Sequence, residues 1–416
     1  MPEPEQPAGE GALSDLKVLD LAGPVGVYCA KLLADLGAQV IRVEPPQGDS
    51  MRGIGPFYED DPNPEKSLYW WHFNTSKRGI TLDLEQPQGQ ELFKRLVRWA
   101  DIAVESFTPG YLESLGLGYE ALQAVNQELI LTSVTPFGQV GPYKDFKGPD
   151  IVGQAMSGVM SLVGVPDHPP YIIGSEMGYW TAAAFAANAT MLAVTYRDVN
   201  GGGQHIDVSM QRAMSLGAGN AVSNYAVLGH VLHRGEIFAR GRGGVKTEFR
   251  CKDGWVFYIA AAAGTSMEAA QDLLTEYGLG EEFDPRWLDP TLIRQDPVEK
   301  KRFEDLMEGF FANYTRLELL DMGFNRQRQV FVVPTGTPQD LVESPQMEAR
   351  GFIIDVEHPE LEKSVRYPGP PYRLPETPWQ IYRRAPLIGE HNEEVYGEIL
   401  GLGAGEMGQL KQQGVI

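Results

Sequence analysis

The sequence predicts an α/β protein, with a doubly wound parallel sheet in a large domain and a smaller α+β domain after it. Three observations predict it. Strand-like and helix-like runs alternate closely near the N-terminus, the alternation continues to about residue 134, and the texture changes near residue 238. Lys17-Val-Leu-Asp-Leu21 is a short apolar strand, followed by the Gly/Pro turn Ala22-Gly-Pro-Val-Gly26. Val27, Ala30, Leu33, Ala34 and Leu36 then recur at three- and four-residue spacing, which buries one face of a helix. Gly37 ends that helix, and Gln39-Val-Ile-Arg-Val-Glu44 is a second strand stopped by Pro45-Pro46. Strand, helix and strand this close together make a βαβ unit, whose two strands must be parallel.

The pattern repeats as strand 79–84, helix 88–99, strand 102–106, helix 119–125 and strand 129–134. An Ala-rich apolar run over 182–194 reads as a buried helix. From 238 onward, strands at 247–252 and 255–260 form a hairpin around Lys252-Asp-Gly254, and helices follow at 266–277 and 298–314. The expected organisation is a disordered acidic tail over 1–13 and a large domain over 14–213, completed by 385–416. A linker over 214–237, a small domain over 238–333 and a Pro-rich return linker over 334–384 complete it. An amphipathic helix is expected to end the stretch 386–400.

Composition excludes several function classes. A net charge of -21 provides no basic face for nucleic acid. The longest apolar run, interrupted by Asn188 and Thr190, is too short to span a bilayer, and the acidic N-terminus is unlike a signal peptide. The two cysteines, Cys29 and Cys251, build no disulfide framework and fit a reducing cytoplasm, where the protein is expected to reside. The first turn lacks a full Gly-x-Gly-x-x-Gly pattern, so no dinucleotide cofactor is expected. His168 and His391 lie in Pro/Gly turns without a third ligand at metal spacing, so no metal is expected. His205 opens a strand and reads as a structural hydrogen-bonder. The aromatic run Tyr69-Trp-Trp-His-Phe73 reads as core or dimer packing, with an acyl pocket for an aromatic acid as the alternative.

Five segments in order carry a family resemblance. They are Val18-Leu-Asp-Leu with Leu33-Ala-Asp-Leu-Gly-Ala-Gln-Val-Ile-Arg-Val-Glu-Pro45, then Asn74-Thr-Ser-Lys-Arg-Gly-Ile-Thr-Leu-Asp-Leu84. Ala100-Asp-Ile-Ala-Val-Glu-Ser-Phe-Thr-Pro-Gly110, Asp150-Ile-Val-Gly-Gln-Ala-Met-Ser-Gly158 and Ala385-Pro-Leu-Ile-Gly-Glu-His391 follow. Over residues 14–402 the chain resembles the family III (CaiB/BaiF) CoA-transferases. The resemblance implies a Rossmann-like large domain and a small α+β domain joined by two long linkers. It also implies a ring-shaped chain interlocked with a second ring as a dimer. The implied chemistry is ping-pong transfer: a carboxylate attacks a CoA thioester, forms a mixed anhydride, becomes the CoA ester and passes CoA to an acceptor acid. CoA or acyl-CoA then acts as substrate, with no tightly bound cofactor. Carried over by position, Asn74, Lys77, Phe107 and Lys147 are implied to contact CoA, although without the resemblance both lysines would read as solvated surface charges. Ser114 stands where several members have an arginine, and the loop Arg240 to Gly244 matches the family's glycine-rich loop only loosely.

The departure is at the nucleophile. Counting back from Gln204 through Arg197 without a gap puts the family's aspartate on position 179, which here is Tyr179. A phenol forms no acyl anhydride, and three readings follow. In the first, this chain is a non-catalytic subunit paired with a homologue that retains its aspartate. The family includes a pair of this kind that moves CoA from succinyl-CoA to (R)-2-benzylsuccinate in anaerobic toluene degradation, and the chain resembles its aspartate-lacking subunit. In the second, Glu176 replaces the nucleophile in an active homodimer. In the third, the chain binds CoA esters without transferring them. A racemase would need a histidine–aspartate base pair, and the corresponding positions are Pro149 and Tyr179.

Overall fold

In a computed structural model of the chain, residues 11–164, 168–234, 245–260, 266–325 and 330–416 are described. The chain divides into two compact units. The first contains the residues up to Met160, Ile172–Gly219 and Glu348–Ile416; the second contains Ser161–Tyr171 and Asn220–Met347.

Six strands form the sheet of the first unit: β1 (Lys17–Leu21), β2 (Gln39–Glu44), β3 (Arg78–Thr81), β4 (Ile102–Glu105), β5 (Ile130–Thr135) and β6 (His205–Ser209). Their order is β3-β2-β1-β4-β5-β6, and every adjacent pair is parallel. β1, β2, β4 and β5 are buried nearly throughout, which explains why they read as apolar runs instead of alternating patterns. α1 (Val27–Asp35), α2 (Leu68–Phe73), α3 (Pro87–Trp99), α4 (Tyr111–Ser114) and α5 (Tyr119–Val125) lie between the strands. Strand order reverses at β1 and β4. Connections leaving a reversal point diverge, so a crevice opens beyond the carboxyl ends of these two strands.

Three further helices complete the frame: α6 (Asp150–Met156), α7 (Met177–Asn200) and α8 (Met210–Ser215). Inward alanines 182, 183, 186 and 187 let α7 pack closely, and its Thr190 hydroxyl hydrogen-bonds Thr132 of β5 at 2.7 Å. No described helix is long and apolar enough to cross a membrane. The C-terminal segment closes on β3. Thr81 N donates to Asn392 Oδ1 at 2.9 Å, and the Tyr396 hydroxyl donates to the Thr81 carbonyl at 2.7 Å.

The stretch expected as a return linker over 334–384 differs from that expectation. Residues Ile353–His358 and Lys363–Pro368 pair as an antiparallel hairpin within the first unit. Val356 and Tyr367 of this hairpin enter the cluster built on Trp70, Trp71 and Phe73. Prolines and charges flank those residues, so the strand signal was diluted. The amphipathic helix expected near residue 400 is a short helix Asn392–Glu394 continued by a π-turn to Ile399, with a further helix at Ala404–Gln412. The expected tail lies outside the described residues as far as residue 10, whereas Leu13 N already bonds the Leu36 carbonyl at 3.0 Å.

The second unit is α+β. Strands Glu248–Cys251, Gly254–Ile259 and Phe331–Pro334 form an antiparallel sheet. Helices Met267–Glu276 and Pro297–Phe311 accompany it, and Phe249, Tyr258, Trp287, Phe303 and Phe310 fill its core.

Candidate functional site

A cleft of about 400 Å³ opens at the reversal point of the sheet. Its walls are the turn Gly23-Pro24-Val25 after β1, the loop from Ser106 to Pro109 after β4, Pro136 after β5, the segment 144–149, and Tyr179. The first two of these walls are anchored from within. Gly23 N donates to Ser106 Oγ at 2.7 Å, which ties the two strand-end loops together. Phe107 N donates to Glu105 Oε2 at 2.7 Å, and the Phe107 ring packs on Tyr111 with centroids 4.8 Å apart.

Beneath the first turn lies a buried ionic network. Lys77 is fully buried, and its Nζ bonds Asp20 Oδ2 at 2.8 Å and Asn74 Oδ1 at 3.0 Å. Asp20 also accepts from Ala22 N at 3.0 Å and pairs with Arg42 at 3.1 Å. Arg42 Nη1 donates in turn to the Ala22 carbonyl at 2.6 Å. Burial alone would raise the Asp20 pKa, but Lys77 and Arg42 beside it hold the carboxyl below its usual range. Burial brings Lys77 down to about 8 against the pull of Asp20, so both partners are charged at neutral pH. Lys77 and Asn74 are therefore absent from the cleft lining and lie under the turn that forms it.

Tyr179 sits in the first turn of α7. The helix is entered through two consecutive left-handed residues, Ser175 (φ 64°) and Glu176 (φ 52°), a conformation that side-chain-bearing residues adopt at a cost. Glu176 provides no side-chain cap. Asp150, at the start of α6, acts instead. Its Oδ1 accepts from Tyr179 N at 3.0 Å, and its Oδ2 accepts from Gln154 Nε2 at 2.6 Å. A carboxylate suits the positive end of a helix. Asp150 is thus occupied on both oxygens as a structural cap. The Glu176 carboxylate is half-buried and accepts from the Tyr69 hydroxyl at 2.9 Å, and Glu176 is not a lining residue of the cleft. Burial, then the nearby charges of Glu176 and Asp150, push the Tyr179 phenol above its ordinary pKa, so it is protonated at neutral pH.

Gly178 is required by this packing. A Cβ there would fall 2.7 Å from Asp150 Oδ1 and 3.1 Å from Met210 Sδ. Gly178→Ala is expected to destabilise the protein by about 1–3 kcal/mol, read as a lowered thermal midpoint; an unchanged midpoint would show that the α6–α7 contact is loose.

The other residues singled out in the sequence are distributed as follows. Phe107, Lys147 and Tyr179 all line the cleft, and Lys147 is exposed. Ser114 lies outside the lining and bonds the Tyr111 carbonyl at 2.7 Å. Trp70, Trp71 and Phe73 are core residues, with the Trp70 indole donating to the Pro386 carbonyl at 3.0 Å. His391 Nδ1 accepts from Gly79 N at 3.1 Å, and His205 Nε2 meets Ser133 Oγ at 2.8 Å. The carbonyl of His168 accepts from Arg234 at 3.0 Å. Cys29 is buried, and burial with the neighbouring Asp20 charge raises its thiol to about 12. The loop Arg240 to Gly244 lies outside the described residues. Sequence reasoning missed Asp150 as a cap and Glu105 as an anchor. The one available signal was an acidic residue opening a helix after proline.

The profile of CoA-transferase family III matches residues 13–392, and the chain belongs to that family. It is 34% identical to the succinyl-CoA:(R)-benzylsuccinate CoA-transferase subunit BbsE of Thauera aromatica, covering 97% of this chain and 98% of that one. It is also 34% identical to the succinyl-CoA–D-citramalate CoA-transferase of Chloroflexus aurantiacus, again over 97% and 98%. Among solved structures, a CaiB/BaiF family protein from Brucella suis superposes with a TM-score of 0.82 at 30% identity, covering 94% of this chain and all of that one.

Proposed function

We propose that this chain is the non-catalytic subunit of a family III CoA-transferase, paired with a homologous subunit that carries the nucleophilic aspartate. The proposed transfer runs from succinyl-CoA to (R)-2-benzylsuccinate, as in anaerobic toluene degradation. The proposed assembly is the interlocked dimer implied by the family resemblance, located in the cytoplasm. One observation carries the reading. The group that α7 presents to the cleft is the protonated phenol of Tyr179, and the carboxylate in the lining, Asp145, stands on an exposed loop paired with Lys144 at 3.0 Å. A carboxylate nucleophile accepts an acyl group as an anhydride, exchanges it for CoA as a thioester and releases it to an acid. A phenol supplies neither the anhydride nor the acyl-CoA intermediate. The strong likeness to a protein named as one subunit of a benzylsuccinate CoA-transferase supports the pairing.

In this reading the cleft remains a place for CoA or its esters. Lys147 and Phe107 are its proposed contacts, while Asn74 and Lys77 serve by shaping the turn from Gly23 to Val25. Glu176 is the second candidate nucleophile, favoured by its hydrogen bond from Tyr69 at the same helix end. Its absence from the lining weighs against it, since displacement by about 1 Å can cost roughly 100-fold in rate. A third outcome is binding of CoA esters without turnover. Purification separates the three. The chain alone is expected to be inactive, and co-production with an aspartate-bearing homologue is expected to give an active mixed dimer. Transfer by the pure homodimer that Glu176→Gln abolishes would overturn the proposal.

A further inference from the structure

The cleft wall rests on a second cluster that none of the chemistry above uses. Glu105 ends β4 almost fully buried, and its register partner is Ser133 on β5. Ser133 Oγ meets His205 Nε2 at 2.8 Å, and the His205 ring stacks on Tyr119 with centroids 5.4 Å apart. A pocket of about 10 Å³ among these groups is lined by Glu105, Ser133, His205, Glu113, Thr108 and Pro109. Thr108 and Pro109 also line the large cleft, so the two spaces share one wall. Glu105 reaches that wall directly through the 2.7 Å bond from Phe107 N.

We propose that Glu105 is a positioning residue, whose carboxylate fixes the loop from Ser106 to Pro109 and so the inner wall of the cleft. The device responds to pH. Burial raises the Glu105 carboxyl to about 7, opposed by hydrogen bonding from Ser133 and from Phe107 N and reinforced by the charges of Glu113 and Asp207. Burial also lowers the His205 pKa, against Asp207 and Glu113. With Glu105 ionised, the Phe107 amide donates to a charged acceptor. Once Glu105 gains a proton, that charge is gone. The Phe107 amide then faces a neutral acceptor in place of a charged one, which weakens its bond.

The sign for stability is opposite to that for loop order. A carboxyl with a raised folded pKa contributes most below its unfolded value near 4.5, and that contribution is lost as pH rises to about 7. Glu105→Gln, which keeps an acceptor for Phe107 N, is therefore expected to fold at pH 8 with a midpoint no lower than wild type.

The test is amide exchange at Phe107 in the full chain, wild type and Glu105→Gln, between pH 6 and pH 8, corrected for intrinsic exchange. Wild-type protection is expected to fall about tenfold towards pH 6, as a charged acceptor becomes neutral, while the Gln variant stays flat. Parallel profiles in the two proteins would overturn the proposal. A companion titration with free CoA rests on the CoA reading of the cleft. The ratio of wild-type to variant affinity is expected to be about 5–10 at pH 8 and near 1 at pH 6, which cancels the ionisation of the ligand itself. A constant ratio would contradict the coupling. Failure of both proteins to bind CoA would sink the CoA reading alone, with the exchange profiles still deciding the role of Glu105.

Discussion

Replacing Tyr179 with aspartate is expected to give the isolated chain a CoA-transfer activity at least about 1000-fold above wild type, a fraction of what a lost nucleophile costs. The backbone for it is in place. Tyr179 N is pinned by Asp150, Gly178 allows the close approach of α6, and the side chain at 179 projects into a cleft of about 400 Å³. A shorter aspartate would leave room where the phenol ring now stands. Tyr179→Phe, by contrast, is expected to behave as wild type both alone and with the proposed partner, because the proposal gives the phenol hydroxyl no role. The assay is thioester exchange from succinyl-CoA to (R)-2-benzylsuccinate. An aspartate variant that folds, binds CoA and still shows no turnover would mean that more than the nucleophile has been lost.

The second large effect is on folding. Lys77→Met removes one partner from a fully buried ion pair and leaves Asp20 with Arg42 and the Ala22 amide. Breaking such a pair costs about 3 kcal/mol or more, roughly 6–12 °C in the midpoint of a domain of this size. CoA affinity is expected to weaken only in step with the loosened turn from Gly23 to Val25. Should Lys77→Met abolish CoA binding with an unchanged midpoint, Lys77 would be a direct ligand contact, as the family resemblance implies. The two roles therefore separate on one variant.

Much of the first unit was legible from the sequence, since buried parallel strands make apolar runs and their crossover helices show regular spacing. Val18 to Asp20 and Ile41 to Val43 read as strands because nothing polar on a solvent face interrupts them. The cleft position followed from topology once the strand order was known. Other features depend on contacts between distant residues. Lys77 read as a surface lysine because its partner Asp20 lies 57 positions upstream. Asp150 was visible only as part of a motif, since its acceptor role depends on an amide 29 residues later. The hairpin at residues 353–368 was missed because its stabilisation comes from packing on Trp70 and Trp71, not from its own alternation.

The most direct measurement is the intact mass of the purified chain during incubation with succinyl-CoA and acceptor acid, with no companion subunit present. The wild-type polypeptide is expected to keep its unmodified mass, whereas Tyr179→Asp acquires an acyl or CoA adduct that maps to residue 179. A covalent adduct on the wild-type chain, at Tyr179, Glu176 or elsewhere, would contradict the claim that this subunit leaves the chemistry to its partner.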